Sequence, residues 1–294
     1  MFNEVLAGVD FGPGGRDAIA LASRLLDGEG KLTLAHVFPG QLLPSHAVTP
    51  GLTREDRERA EGRLAEERAE AHVAAELVVA QGSPGHALHE LAEDRGADLL
   101  VLGSCHRGVL GRAMLGDDTR ASIDGAPCAV AIAPAGYAGH PAPIVSIGVG
   151  YDGSPESELA LATARALAAS LDAEIRALEV VSLSGSHYAL GGALLVSEMN
   201  QRVAQADARI KGLAGVEGRA EYGFPAEDLA IFGQEVDLLI VGSRGFGPWG
   251  RLVHGSTSAG LARHTHGPLL IVPRPIQPPA GDEETGATSV AVTA

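Results

Sequence analysis

The stretch Val241-Gly-Ser-Arg-Gly-Phe-Gly-Pro-Trp-Gly-Arg-Leu-Val-His-Gly-Ser-Thr-Ser258 places glycines and hydroxyls where an anionic ligand would need them. Gly242 and Gly245 open it, nine residues intervene, and Gly255 with Ser256 closes it, followed by Thr257 and Ser258. A glycine lets backbone N–H groups approach an anion with no Cβ in the way, and a helix N-terminus adds the positive end of its dipole. The chemistry this spacing suits is phosphate binding. Arg244 can pair with phosphate oxygens, whereas Arg251 reads as solvated charge. The plainer account of the same glycines is tight turning and helix–sheet packing.

These residues need a strand to deliver them and a helix to receive the ligand. Asp237-Leu-Leu-Ile-Val241 is short and aliphatic, as a buried parallel strand would be, and an Ala/Leu-rich helical pattern starts at Ala259. The same alternation runs through the whole chain. Val5 to Asp10 reads as a strand ending in an acidic residue, Gly12 to Gly15 as a turn into a helix, and Lys31 to Phe38 as the second strand. A charged helix over Thr53 to Ala75, a strand at Glu76 to Ala80, a helix from His86 to Arg95, and strands at Asp98 to Leu102 and Pro127 to Ile132 follow. From Pro143 the series begins again. Ile144 to Asp152 matches the first strand, Ser154 and Pro155 offer an N-cap and first helical residue, and Ile175 to Val181 matches the second strand. Ala220 to Pro225, Asp237 to Val241 and Pro268 to Val272 complete the copy. The expectation is two α/β domains, 1–137 and 143–275, each a parallel sheet of five strands flanked by helices, with a disordered tail over 276–294. In such a sheet ligands sit beyond the carboxyl ends of the strands where the winding reverses, so Asp152 and Gly242 should face one pocket.

The totals narrow the function classes. A length of 294 residues suits two domains, and a formal charge of −15 argues against nucleic acid or an anionic membrane as the main partner. The 2 cysteines, Cys105 and Cys128, and the absence of a secretory signal before the first strand set a cytoplasmic location as the expectation. Apolar runs are too short to cross a bilayer.

With Gly242-x2-Gly245-x9-Gly255-Ser256 in place, a strand-terminal Asp, a Gly-x-Pro turn and a final Pro-Leu-Leu-Ile-Val strand, the chain resembles a tandem universal stress protein from Val5 to Pro273. The resemblance implies two Rossmann-like domains of the adenine nucleotide alpha hydrolase-like kind, packed about a pseudo-twofold axis within the chain through their last strands, a further homodimer, and an adenine-nucleotide pocket. It implies that the Gly150-Tyr151 backbone and Asp152 face adenine and ribose, and that Val180 packs on the base. Gly242, Gly245, Gly255 and Ser256 would hold the phosphates of ATP, with Thr257 and Ser258 nearby and Mg²⁺ alongside. Asp10, Val37, Gly103 and Gly116 are the matching positions of the first copy.

That first copy departs from the pattern. Its loop carries His106 where the second glycine belongs and Asp117 where the serine belongs. A Cβ hinders close approach of backbone to phosphate, and an ionised aspartate beside a triphosphate contributes repulsion of roughly 1 to 4 kcal/mol per charge pair. Nucleotide is therefore expected mainly in the second domain, unless Asp117 and Asp118 hold a bridging cation. His106, His254, His264 and His266 lack ligand partners at metal spacing, Cys105 reads as a small buried residue, and Asp10 reads best as a helix cap. No nucleophile–base pair is readable around the loop, so binding is favoured over chemistry. Two readings stand beside it: a slow ATPase or autophosphorylating protein with Ser256 or Thr257 as acceptor, and a nucleotide-free assembly module whose fifth strands pair copies edge to edge.

Overall fold

A computed structural model describes residues 1–39, 54–104, 121–182, 192–243, 256–264 and 266–273. The tail and most of both long glycine loops, with Gly116, Arg244, Gly245 and Gly255, lie outside the described residues.

The first repeat runs β1 (Phe2–Gly8), α1 (Pro13–Leu25), β2 (Leu26–Pro39), α2 (Arg54–Glu70), β3 (Glu76–Gly82), α3 (Pro84–Arg95), β4 (Leu99–Gly103) and β5 (Ala129–Ala133). After a short turn at Tyr137–Gly139, the second runs β6 (Ser146–Gly150), α4 (Pro155–Leu171), β7 (Glu174–Val181), α5 (Gly192–Lys211), β8 (Glu217–Tyr222), α6 (Pro225–Phe232), β9 (Leu238–Gly242), α7 (Ser256–His264) and β10 (Leu269–Val272). The strands form one sheet in the order β3-β2-β1-β4-β5-β10-β9-β6-β7-β8. Within each half all pairings are parallel. The single antiparallel contact among the described strands joins the halves, with Leu269, Leu270 and Ile271 opposite Ile132, Ala131 and Val130. The two last strands therefore satisfy each other within one chain, and neither is an open edge for another copy; β3 and β8 are the edges of this sheet.

Alternation along the strands explains why helices cover both faces. Val5, Ala7, Leu99 and Val101 join one apolar cluster with Ile19 and Leu64 of α1 and α2. Leu6, Leu100 and Leu102 point the other way, into a cluster with Leu88 of α3 and Phe232 of α6. A strand buried on both sides has no polar face, which is why these runs read as continuous aliphatic segments.

Several boundaries differ from the sequence reading, among them those of β1, β6 and β2. β1 and β6 end at Gly8 and Gly150, so Asp10 and Asp152 lie in the turns beyond rather than on the strands. Each carboxylate draws in the backbone of its own turn: Asp10 Oδ1 accepts from the N–H groups of Gly12 (2.9 Å) and Gly15 (3.1 Å), and Asp152 Oδ1 from that of Ser154 (3.1 Å). β2 begins at Leu26, because Phe2 opposes Leu26 while Glu4 opposes Lys31, and the glycine-rich residues between are taken up as an irregularity in the strand.

Candidate functional site

β6 lies between β9 and β7, which puts the reversal of winding between β6 and β9. A cavity of about 490 Å³ opens there at the carboxyl ends of the strands. Gly150, Tyr151 and Asp152 enter it from β6 and its turn, Leu178 and Val180 from β7, and Val241 and Gly242 from β9. Thr257 and Ser258, in the first turn of α7, line the same space, so the residues expected there do converge where they are described. Ser256 begins α7.

Local rules set each of these residues. Ser154 is the N-cap of α4, its hydroxyl oxygen accepting from the Ser157 N–H at 3.3 Å, with Pro155 following. Asp152 also accepts a hydrogen bond from the Ser154 hydroxyl, so carboxylate and cap form one unit at the cavity wall. Tyr151 is buried, its N–H donates to the Leu178 carbonyl at 3.0 Å, and its phenol donates to Glu158. Burial and that carboxylate push the phenol up to about 12, so it remains a protonated donor at neutral pH.

Gly242 has a structural reason beside any ligand. A Cβ there would lie 2.5 Å from the Glu156 carbonyl oxygen, so the start of α4 can pack on the end of β9 only over a glycine. In the first repeat a Cβ on Gly103 would overlap the Gly14 backbone in the same way. The packing account of this glycine holds in both copies, and the close approach it permits brings the α4 N-terminus to the cavity.

The sequence reading missed part of the lining. Phe224, Pro225, Ala226, Glu227 and Leu229, from the β8–α6 turn and α6, form a further wall, and Glu156 and Ser157 belong to the α4 wall. The signal available was the contrast of Gly223-Phe224-Pro225 with Gly82-Ser83-Pro84 at the matching turn. The described lining holds three carboxylates, Asp152, Glu156 and Glu227, and no Lys, Arg or His. Among the described residues no group of three or more His, Cys, Asp or Glu is arranged to hold a metal ion.

The corresponding space in the first repeat is smaller, about 220 Å³, and is lined by Asp10, Val37 and Gly103 together with His36 and Pro84. Around it the repeats solve one packing problem differently. Arg209 of α5 pairs with the buried Glu179 of β7 through two contacts of 3.0 and 3.1 Å, and lies against Gly153, whose φ is +75°. In the first repeat the matching positions are His36 and Phe11, the latter held at φ +59°. The Phe11 ring stacks on His36 at 4.0 Å with the Arg63 guanidinium 4.1 Å from its centroid, replacing an ion pair by stacking and cation–π contact.

Both halves of the chain match one family description, "Universal stress protein family", over residues 1–134 and 145–273. The chain belongs to the universal stress protein family. A universal stress protein of Mycobacterium tuberculosis is 30% identical over 182 residues, which span 60% of this chain and 61% of that protein. A second from the same organism is 29% identical over 161 residues, spanning 46% of this chain and 51% of its own length. The chain thus matches between about half and three-fifths of the length of these relatives. The crystal structure of a universal stress protein from Archaeoglobus fulgidus superposes with a TM-score of 0.66 over 93% of this chain and 99% of that one, at 19% identity. That likeness shows the Rossmann-like fold, and the two family matches show the tandem repeat. Among the described residues, no helix is long and apolar enough to cross a membrane.

Proposed function

We propose that this universal stress protein is a regulatory adenine-nucleotide binder that holds ATP with Mg²⁺ in its second repeat. The observation that carries the reading is the cavity of about 490 Å³ at the β6–β9 reversal, bounded by the first turns of α4 and α7. Its size falls in the range of about 300 to 1,000 Å³ usual for small-molecule sites, whereas the 220 Å³ space of the first repeat falls below it. Helix N-termini suit phosphates, and three carboxylates in the wall require a cation to screen a polyphosphate. Mg²⁺ beside the phosphates answers that need. Regulation rather than turnover is the preferred role, because the sequence around the glycine loop offers no readable pairing of an activated nucleophile with a base. A cytoplasmic setting and a homodimer belong to the same proposal, and that dimer would use a surface other than the paired last strands.

The test is calorimetric titration of the full chain with Mg·ATP and Mg·AMP. One site is expected, with affinity for ATP weakened at least tenfold when Mg²⁺ is chelated. The double substitution Gly245→His with Ser256→Asp should abolish that site, and unchanged affinity in that variant would refute the assignment. The half-buried Thr257 at the start of α7 favours a second reading, slow phosphoryl transfer or hydrolysis. Incubation with γ-labelled ATP separates these: label on the protein means transfer, free phosphate means hydrolysis, and neither leaves binding alone.

A further inference from the structure

Phe224 is 72% exposed, more than any other exposed large apolar side chain among the described residues, and it still lines the second cavity. Its ring therefore stands at the rim, part over the cavity and part in solvent. A single exposed apolar side chain is ordinary on a protein surface, so what marks this ring is its place on the cavity wall.

The backbone beneath the ring is fixed. Phe224 is the N-cap of α6, and a phenylalanine there supplies no side-chain acceptor for the free N–H groups of the first turn. Asp228 compensates from the other direction, its Oδ2 accepting the Phe224 N–H at 2.6 Å, while the Phe224 carbonyl accepts from the Glu227 and Asp228 N–H groups at 3.0 and 2.9 Å. Pro225 locks the next φ. The chain forgoes a capping side chain at this position and presents an aromatic ring from a rigid support. Ordering such a ring on a ligand restricts only two side-chain torsions.

The first repeat shows what the turn looks like without this feature. Ser83 is the N-cap of α3 at the same step between Gly82 and Pro84, and it does not line the smaller cavity. Two aromatic rings of that repeat, Phe11 and Phe38, are packed against His36. Among the described residues the lining of the smaller cavity holds no Phe, Tyr or Trp, and Val180 and Leu178 give the second cavity further apolar lining.

We infer that Phe224 is a base-stacking residue: its ring covers one face of the heterocycle of a nucleotide seated in the second cavity and makes the site selective for base-bearing phosphates over bare polyphosphate. This deepens the nucleotide reading of that cavity and rests on it. Stacking is sequence-tolerant because every base has a π-face, so the selectivity it confers is for nucleotides as a class, with purines favoured by their larger face.

The experiment measures dissociation constants of the full-length chain for Mg·ATP, Mg·CTP and magnesium tripolyphosphate, for the natural sequence and for Phe224→Ala, Phe224→Leu and Phe224→Trp. Thermal unfolding without ligand serves as the folding control, since the ring is exposed. Phe224→Ala should weaken ATP about tenfold or more and leave tripolyphosphate within twofold. Phe224→Trp should match or exceed the natural affinity, and Phe224→Leu should fall near Phe224→Ala. If Phe224→Ala leaves ATP unchanged, if Phe224→Leu binds as well as the natural protein, or if ATP and tripolyphosphate weaken together, stacking is overturned while nucleotide binding stands. If the natural protein binds neither nucleotide at millimolar concentration, the nucleotide reading itself falls and takes this one with it.

Discussion

At the scale of single residues, the two repeats fill one matching position beside the cavity with side chains of different charge. Glu179 and Arg209 form a carboxylate–guanidinium pair in the second repeat, and His36 with Phe11 and Arg63 takes that place in the first. His36 Nδ1 lies 2.7 Å from the Val9 carbonyl oxygen. Its pKa is lowered below the ordinary 6.5, chiefly by burial, with the Arg63 charge acting in the same direction and the Val9 carbonyl and Asp10 opposing it. In the unfolded chain His36 protonates near 6.5, before it does so in the folded one, so the unfolded state gains protons first as pH falls. Stability from this ring is thus present above about pH 6.5 and declines as pH drops from there toward the lower folded pKa. The urea midpoint should fall between pH 7 and pH 5 more steeply in the natural protein than in His36→Gln. Equal slopes would show that the ring titrates no differently in the two states.

At the scale of elements, strand starts are held by a repeated carboxylate clamp. Asp237, just before β9, accepts at Oδ2 from the N–H groups of Val145 and Ser146 at 3.0 and 2.8 Å and from the Ser146 hydroxyl at 2.8 Å. Asp98, before β4, accepts from Asn3 and Glu4 at 2.8 and 3.1 Å. A strand pair so pinned cannot slip in register without losing charge-assisted hydrogen bonds. Asp237→Ala should cost about 1.5 to 3 kcal/mol, more than Asp98→Ala, because it strands one further polar partner. Chemical denaturation of both variants decides the ranking. The helix starts follow the same logic: Ser154 and Pro155 were legible as cap and first residue, since their preference is set by the four free N–H groups of any helix. The role of Gly242 was not legible in this way, because the obstruction it avoids is the Glu156 carbonyl of a helix remote in sequence.

For the whole molecule, the seam between the repeats is the deciding feature. Val130, Ala131, Leu269, Leu270 and Ile271 are almost wholly inaccessible, and the two halves share one continuous sheet. Separating the repeats would expose that seam and leave two sheet edges unpaired. The repeats should therefore unfold together, as one calorimetric transition whose calorimetric and van't Hoff enthalpies agree. Two resolved transitions would show that the seam is weaker than either half. The linker supports the seam: the buried Asp17 of α1 accepts from the N–H groups of Gly136 and Ala138 at 2.9 and 2.8 Å, holding the connection against the first repeat.

The sequence alone determined the α/β repeat, the five strands of each half, the Ser154 cap and the convergence of Asp152 with Gly242, because these follow from periodicity, aliphatic runs and turn chemistry acting over a few residues, whereas the N-cap of α1 is Gly12 and not Asp10. It also carried the contrast between Gly245 with Ser256 and His106 with Asp117, which local chemistry makes visible. Pairing of the repeats through their last strands was implied by the family resemblance, and the β5–β10 contact agrees with it. Tertiary structure alone decided that Arg209 reaches Glu179 where Arg63 covers Phe11, and that Phe224 stands at the rim of the larger cavity. Each of these is a contact between residues far apart in the chain, fixed by which faces the packed sheet and helices bring together, and such meetings leave no mark in local residue preference.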